Sequence, residues 1–167
     1  NLSDEFIEQV HLFAPLYSKA WSAQFLRGFL RAAQFDAGEK SALHVCTPDE
    51  VGVAVSSLSE ALAAIAAIRA RGHHRVVVKQ SFGLAGHNAI RLWEPELLET
   101  QRRWMESAFA SGRKLVVEPW LDRVVDFSVQ LEMESSGLKL IGYTGLLNDA
   151  KGQFQANTAT PNFTRAL

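Results

Sequence analysis

Lys79, Glu118 and Asp126 are the side chains whose surroundings in the sequence allow chemistry to be read most directly. Lys79 follows Val76-Val77-Val78, and β-branched residues suit a pleated strand, so a short buried strand delivers an ammonium to its end. Ser81-Phe82-Gly83-Leu84-Ala85-Gly86-His87 comes next, and 88–93 resumes an alternating apolar pattern. A lysine on a rigid strand before a small, Gly-containing loop can hold a polyphosphate. The ammonium is a point charge for phosphate oxygens, and low side-chain bulk lets backbone N–H groups approach them. Gly83 and Gly86 also fit a plain hairpin turn.

The second informative stretch is Val116-Val117-Glu118-Pro119-Trp120-Leu121, followed by Val125-Asp126-Phe127. An apolar strand ending in an acid, a short bulky linker and a second acid opening a new strand can clamp a nucleoside. The linker would lie along a flat base and read its edge with backbone groups, a use that Pro119 permits through its carbonyl. Asp126 can accept hydrogen bonds from ribose hydroxyls. Trp120 is placed either to pack on the base or to fill the core.

In this order and spacing the residues resemble the ATP-grasp superfamily of carboxylate–amine ligases, from about residue 18 to about 145. The matching pattern is a lysine opening a helix, then strand–Lys–glycine loop–strand, a helix, and strand–Glu–hinge–acid–strand. The resemblance implies that Lys79 contacts the α/β-phosphates of ATP and that Ser81, Gly83, Gly86 and His87 belong to a loop folding over the β/γ-phosphates. Glu118 would take the adenine amino group, Pro119 C=O and Leu121 N–H the base edge, with Trp120 beside them, and Asp126 the ribose. Lys19, in Tyr17-Ser18-Lys19-Ala20-Trp21, is similar to the family's earlier phosphate lysine. The family's chemistry would activate a small-molecule carboxylate as an acylphosphate for attack by an amine or thiol. It uses Mg²⁺ held by an acid and an acid-x-Asn pair well beyond the hinge. Glu132, Glu134 and Asp149 lie too close to the hinge for that, so the metal ligands are expected outside this chain. Leu84-Ala85 and His87 also stand where relatives are often richer in glycine.

The elements that must position these groups are legible in the apolar spacing. Ser3 with Asp4 and Glu5 predicts a helix start, and Phe6, Ile7, Val10 and Phe13 follow at helical intervals. A second helix is predicted over 18–33, its stripe of Trp21, Phe25, Leu26, Phe29, Leu30 and Ala33 expected in the core. Residues 36–40 read as a turn and 43–46 as a short strand. Thr47-Pro48-Asp49-Glu50 has the form of a helix start, whereas Val51, Val53 and Val55 alternate like a strand. Ser57 caps a helix with Leu58, Leu62, Ile65 and Ile68 on one face, closed by Gly72. Glu94-Pro95-Glu96 is expected to open a helix running to Phe109, with Leu97, Trp104 and Met105 inward and Gly112 ending it. Strands at 114–117, 126–133 and 138–145 and a turn at 148–152 predict an antiparallel meander at the end.

The expected class is therefore α+β and ATP-grasp-like: N-terminal helices over 1–46, a small α/β lobe over 47–115, and over 116–167 the hinge and part of a second lobe with an antiparallel sheet. The chain begins at Asn1 rather than Met, and with the metal end missing it reads as a piece of a longer protein that would not turn over ATP alone. With 17 Lys+Arg against 18 Asp+Glu, nothing argues for a nucleic-acid groove or a polybasic membrane surface. The lone Cys46 cannot form an internal disulfide, which fits a reducing, cytoplasmic setting. Cys46 has no nucleophile arrangement, and His73 and His74 have no partners at ligand spacing. Two other readings stay open: a non-catalytic nucleotide-binding or regulatory module, and a protein-interaction domain that uses its meander edge and apolar surface without ATP.

Overall fold

Val76-Val77-Val78 and Leu115-Val116-Val117 are buried along their whole length, as an unbroken apolar run requires when both faces of a strand are covered. In the computed structural model these runs are the two central strands of a four-stranded sheet. The structure describes residues 14–33, 46–83, 88–150 and 152–159. The expected helix at 3–13, the turn at 36–40, residues 43–45 of the expected strand, and Gly86 and His87 lie outside the described residues. The architecture is α+β, in two units divided after Gly83 and Trp120: residues 1–83 with 88–120, and residues 84–87 with 121–167.

In the first unit a 3₁₀ turn, Ala14–Tyr17, leads into α1, Lys19–Ala32. Next come β1, Val53–Val55, and α2, Leu58–Ala70. β2, Val76–Gln80, and β3, Ala89–Leu92, precede α3, Glu99–Ala110, and β4, Leu115–Pro119. The sheet order is β1-β4-β2-β3, every neighbour antiparallel. The expected boundary at 115/116 falls inside β4. On one face Ala61, Ile65 and Ile68 of α2 and Met105 and Ala108 of α3 pack on Val76, Val78, Leu92, Leu115 and Val117. Each fully buried Val, Leu, Ile or Met among them contributes roughly 1.5–3 kcal/mol. On the other face Ala20, Ala23 and Leu30 of α1 cover Val51 and Val116.

One open reading is decided and two change. The ambiguous 47–55 segment is a turn followed by β1: the Glu50 N–H donates to Thr47 C=O at 3.0 Å, and pairing with β4 then draws Val53–Val55 into the sheet. α3 begins at Glu99 rather than at 94–96. Arg69 donates to the carbonyls of Glu94 and Pro95, and Gln101 returns to the Leu98 N–H at 2.9 Å, so 94–98 is held as a loop. The aromatic stripe of α1 is not core: Trp21, Phe25 and Phe29 are 39%, 60% and 53% exposed. They stack on one another, with ring centroids 5.1 and 6.5 Å apart. The alanines of the neighbouring face let the helix lie close on the sheet, and the large rings take the outside.

The second unit holds a three-stranded meander: β5, Phe127–Glu134; β6, Gly137–Asn148; and β7, Phe154–Thr158. The register pairs Val129 with Tyr143, Leu131 with Leu140 and Met133 with Leu138, giving one apolar face. The opposite face carries Ser128, Gln130, Glu132, Lys139 and Thr144, with Gln130 donating to Ser128 and Thr144 at 3.1 and 3.2 Å.

Candidate functional site

Directly paired residues of an antiparallel sheet point to the same side. Val77 pairs with Glu118 on one flank and Arg91 on the other, and Lys79 pairs with Val116 and Ala89. Lys79, Glu118 and Arg91 therefore share one face, the one whose Val116 end α1 covers. On that face Lys79 donates from Nζ to Glu118 Oε2 as an ion pair, with the two side chains 33% and 26% exposed. A part-exposed pair of this kind contributes on the order of 1 kcal/mol or less, so a bound ligand can take over either partner.

A second lysine joins them. Ser18 caps α1, its Oγ accepting from the Trp21 N–H, and Lys19 opens the helix. The Lys19 N–H donates to Ser81 C=O at 2.8 Å, and its Nζ donates to Gly83 C=O at 2.6 Å. Burial holds the Lys19 ammonium below the usual lysine range, the nearby Lys79 charge adds to this, and Glu118 opposes it. The first turn of α1 contains no acid to match the positive end of the helix. Two ammonium groups, a helix N-terminus and one carboxylate thus meet at the end of β2. An anion would relieve the excess positive charge.

The other expected residues divide. Ser81 is buried, and its Oγ and N–H both donate to Lys114 C=O, at 2.8 and 3.1 Å. Its visible role is to anchor the strand end from which the Gly83 loop departs. Pro119 closes β4 and is buried, and the next N–H, that of Trp120, donates to Arg75 C=O at 2.9 Å. The Trp120 ring meets Trp93 edge-on with centroids 6.2 Å apart, and the Arg91 guanidinium lies 5.9 Å from its centroid. Leu121 and Asp126 belong to the second unit. There Leu121 is exposed, and Asp126 Oδ2 accepts from Arg123 and from Asn148 Nδ2, each at 2.8 Å. In short, the structure brings together Lys19, Lys79, Gly83 and Glu118.

Gly52 is the residue that sequence reasoning missed. A Cβ there would stand 2.6 Å from Glu118 Cγ and 2.7 Å from Val116 Cγ1, so the Glu118 side chain lies against bare backbone. Arg27 fixes that backbone by donating to Val51 C=O at 2.5 Å. No local signal marks Gly52, because the contact that needs it is made by a residue far away in the chain.

Among the described residues there is no group of three or more His, Cys, Asp or Glu side chains that could hold a metal ion. No helix among them is long and apolar enough to cross a membrane. Comparison with protein-family models gives no match, and comparison with curated proteins gives none either.

Proposed function

We propose that this chain binds ATP as the nucleotide-binding part of an ATP-grasp ligase. The observation that carries the reading is the single sheet face on which Lys79 and Glu118 pair, with Lys19 held to the Gly83 carbonyl beside them. In the bound state Lys79 and Lys19 take the phosphates as point charges. Glu118, released from Lys79, accepts from the exocyclic amine of the base. The reaction supported by the residue order is activation of a carboxylate as an acylphosphate and its capture by an amine or thiol, in a cytoplasmic setting. The family's acid and acid-x-Asn metal ligands have no counterpart in this sequence, so the expected behaviour of this chain alone is binding without turnover.

Titration calorimetry with ATP on the wild type, Lys79→Ala and Glu118→Ala tests the proposal. One site per chain is expected, weakened about tenfold or more in each variant, since hydrogen bonds to charged groups contribute about 1.5–3 kcal/mol. Steady ATP hydrolysis by the chain, abolished by Lys79→Ala, would overturn the claim that it binds without turnover.

The exposed apolar face of β5 to β7 favours a second role alongside the first, as an interaction surface. Leu131, Met133, Leu138 and Leu140 are each at least half exposed on it.

A further inference from the structure

We propose that the open edge of β1 receives an extended peptide with an acidic end, which adds to the sheet as a further strand. Among the described residues β1 pairs on one side only, with β4. A cavity of about 430 Å³ is lined by Val53, Ala54 and Val55 in succession. Alternate residues of a strand face opposite sides, so a cavity touching all three runs along the strand's edge, where the backbone groups have no strand partner among the described residues. The opposite wall is Ala63, Ala64 and Ala67 of α2, whose small side chains leave room for a neighbouring chain.

Charge along the groove selects the occupant. At the Val53 end stand Arg27 and Arg71, fixed by donating to the carbonyls of Val51 and Asp49. Arg27 Nε is shielded from solvent and has no partner among the described residues. Arg31 and Arg71 act on the Arg27 guanidinium as like charges and Asp49 opposes them, which leaves three guanidinium groups against one carboxylate at this end. At the Val55 end stands Glu60, its carboxylate bound to Ser56 N–H at 2.7 Å. A peptide seated here places its acidic residues against the arginines and its neutral or basic end beside Glu60. Backbone pairing supplies the attachment and the arginines supply direction, as in other strand-addition complexes.

The test is an NMR titration of the ¹⁵N-labelled 167-residue chain with two acetylated, amidated peptides. One is Val-Thr-Val-Thr-Val-Asp-Asp, the other its reverse. The expected result is saturable shifts at Val53, Ala54 and Val55 with one of them. Loss of binding is expected for the same peptide N-methylated at alternate residues, which removes the ladder donors. Arg71→Glu should weaken binding at least about tenfold, because opposed like charges cost more than the 1.4 kcal/mol that equals that factor. Ala67→Phe, which fills the cavity, should abolish binding while the chain stays folded by circular dichroism. The proposal is overturned if neither peptide binds or if the N-methylated peptide binds equally well. It is also overturned if hexanoate reproduces the shifts, marking a small-acid site, or if the same amides shift on concentrating the chain alone, marking self-association.

Discussion

Glu118 can reach Lys79 only because nothing but hydrogen occupies the space at Gly52. Gly52→Ala should push the carboxylate off its seat at a cost of about 1–3 kcal/mol, typical of inserting a methyl group into a filled site. ATP affinity and melting temperature should fall together. Gly28→Ala is the matched control, because a Cβ there meets nothing within 4 Å. In the interior of α1 it should raise stability by about 0.5–1 kcal/mol, by reducing the freedom of the unfolded chain, and leave ATP binding unchanged. Thermal melts and calorimetry on the two variants separate these outcomes; equal losses in both would contradict the role given to Gly52.

At the scale of the element, α2 is defined by its first turn. Ser57 Oγ accepts the Glu60 N–H at 3.2 Å, and the Glu60 carboxylate returns to the N–H and hydroxyl of Ser56. Those bonds hold the Glu60 carboxyl below its ordinary 4.5. A carboxyl whose folded pKa is depressed gives stability that is complete above the unfolded value and is lost as pH falls through the folded one. Glu60→Gln should therefore be less stable than the wild type at neutral pH, and the gap should close on acidification below 4.5. Urea titrations at several pH values check this; a gap that persists in acid would contradict it. In α1 the rings and the aliphatic core separate cleanly. Phe25→Ser, at a ring 60% exposed, should change stability by no more than about 0.5 kcal/mol. Leu30→Ala, at a residue 2% exposed, should cost about 2–5 kcal/mol. Chemical denaturation of both variants decides which face of the helix is core.

The three helices show what spacing can and cannot reveal. Ser18, Ser57, Gly72 and Gly112 bracket their helices as local capping chemistry dictates, and Gly72 and Gly112 take positive φ, 96° and 70°, at the helix ends. The apolar runs of β2 and β4 and the alternation of β5 were equally legible, because one side-chain period decides each. The inward face of α1 was not, since Ala20 and Ala23 and the rings of Trp21 and Phe25 are all apolar and only the partner surface chooses between them. Position 94–98 misled for a similar reason: the grip of Arg69 on two carbonyls is tertiary. In the site, Lys79 and Glu118 could be named from strand ends alone, whereas Gly52 and the Arg91–Trp120–Trp93 cluster depend on register between distant strands.

For the whole molecule, the first unit carries Lys79, Arg91 and Glu118 on one sheet face, and the second is a meander with one polar and one apolar side. The function proposed for the molecule requires that Glu118 read a base while Lys79 and Lys19 hold its phosphates. Inosine triphosphate keeps the phosphates of ATP and replaces the exocyclic amine with a carbonyl. The most direct measurement is the ratio of ATP to inosine triphosphate affinity in the wild type and in Glu118→Ala. A preference for ATP of about tenfold or more in the wild type is expected, since the hydrogen bond from the exocyclic amine to a charged carboxylate contributes about 1.5–3 kcal/mol and is lost with the carbonyl, and it should collapse towards unity in the variant. Equal affinity of the wild type for the two nucleotides, or no binding of either, would contradict the assignment.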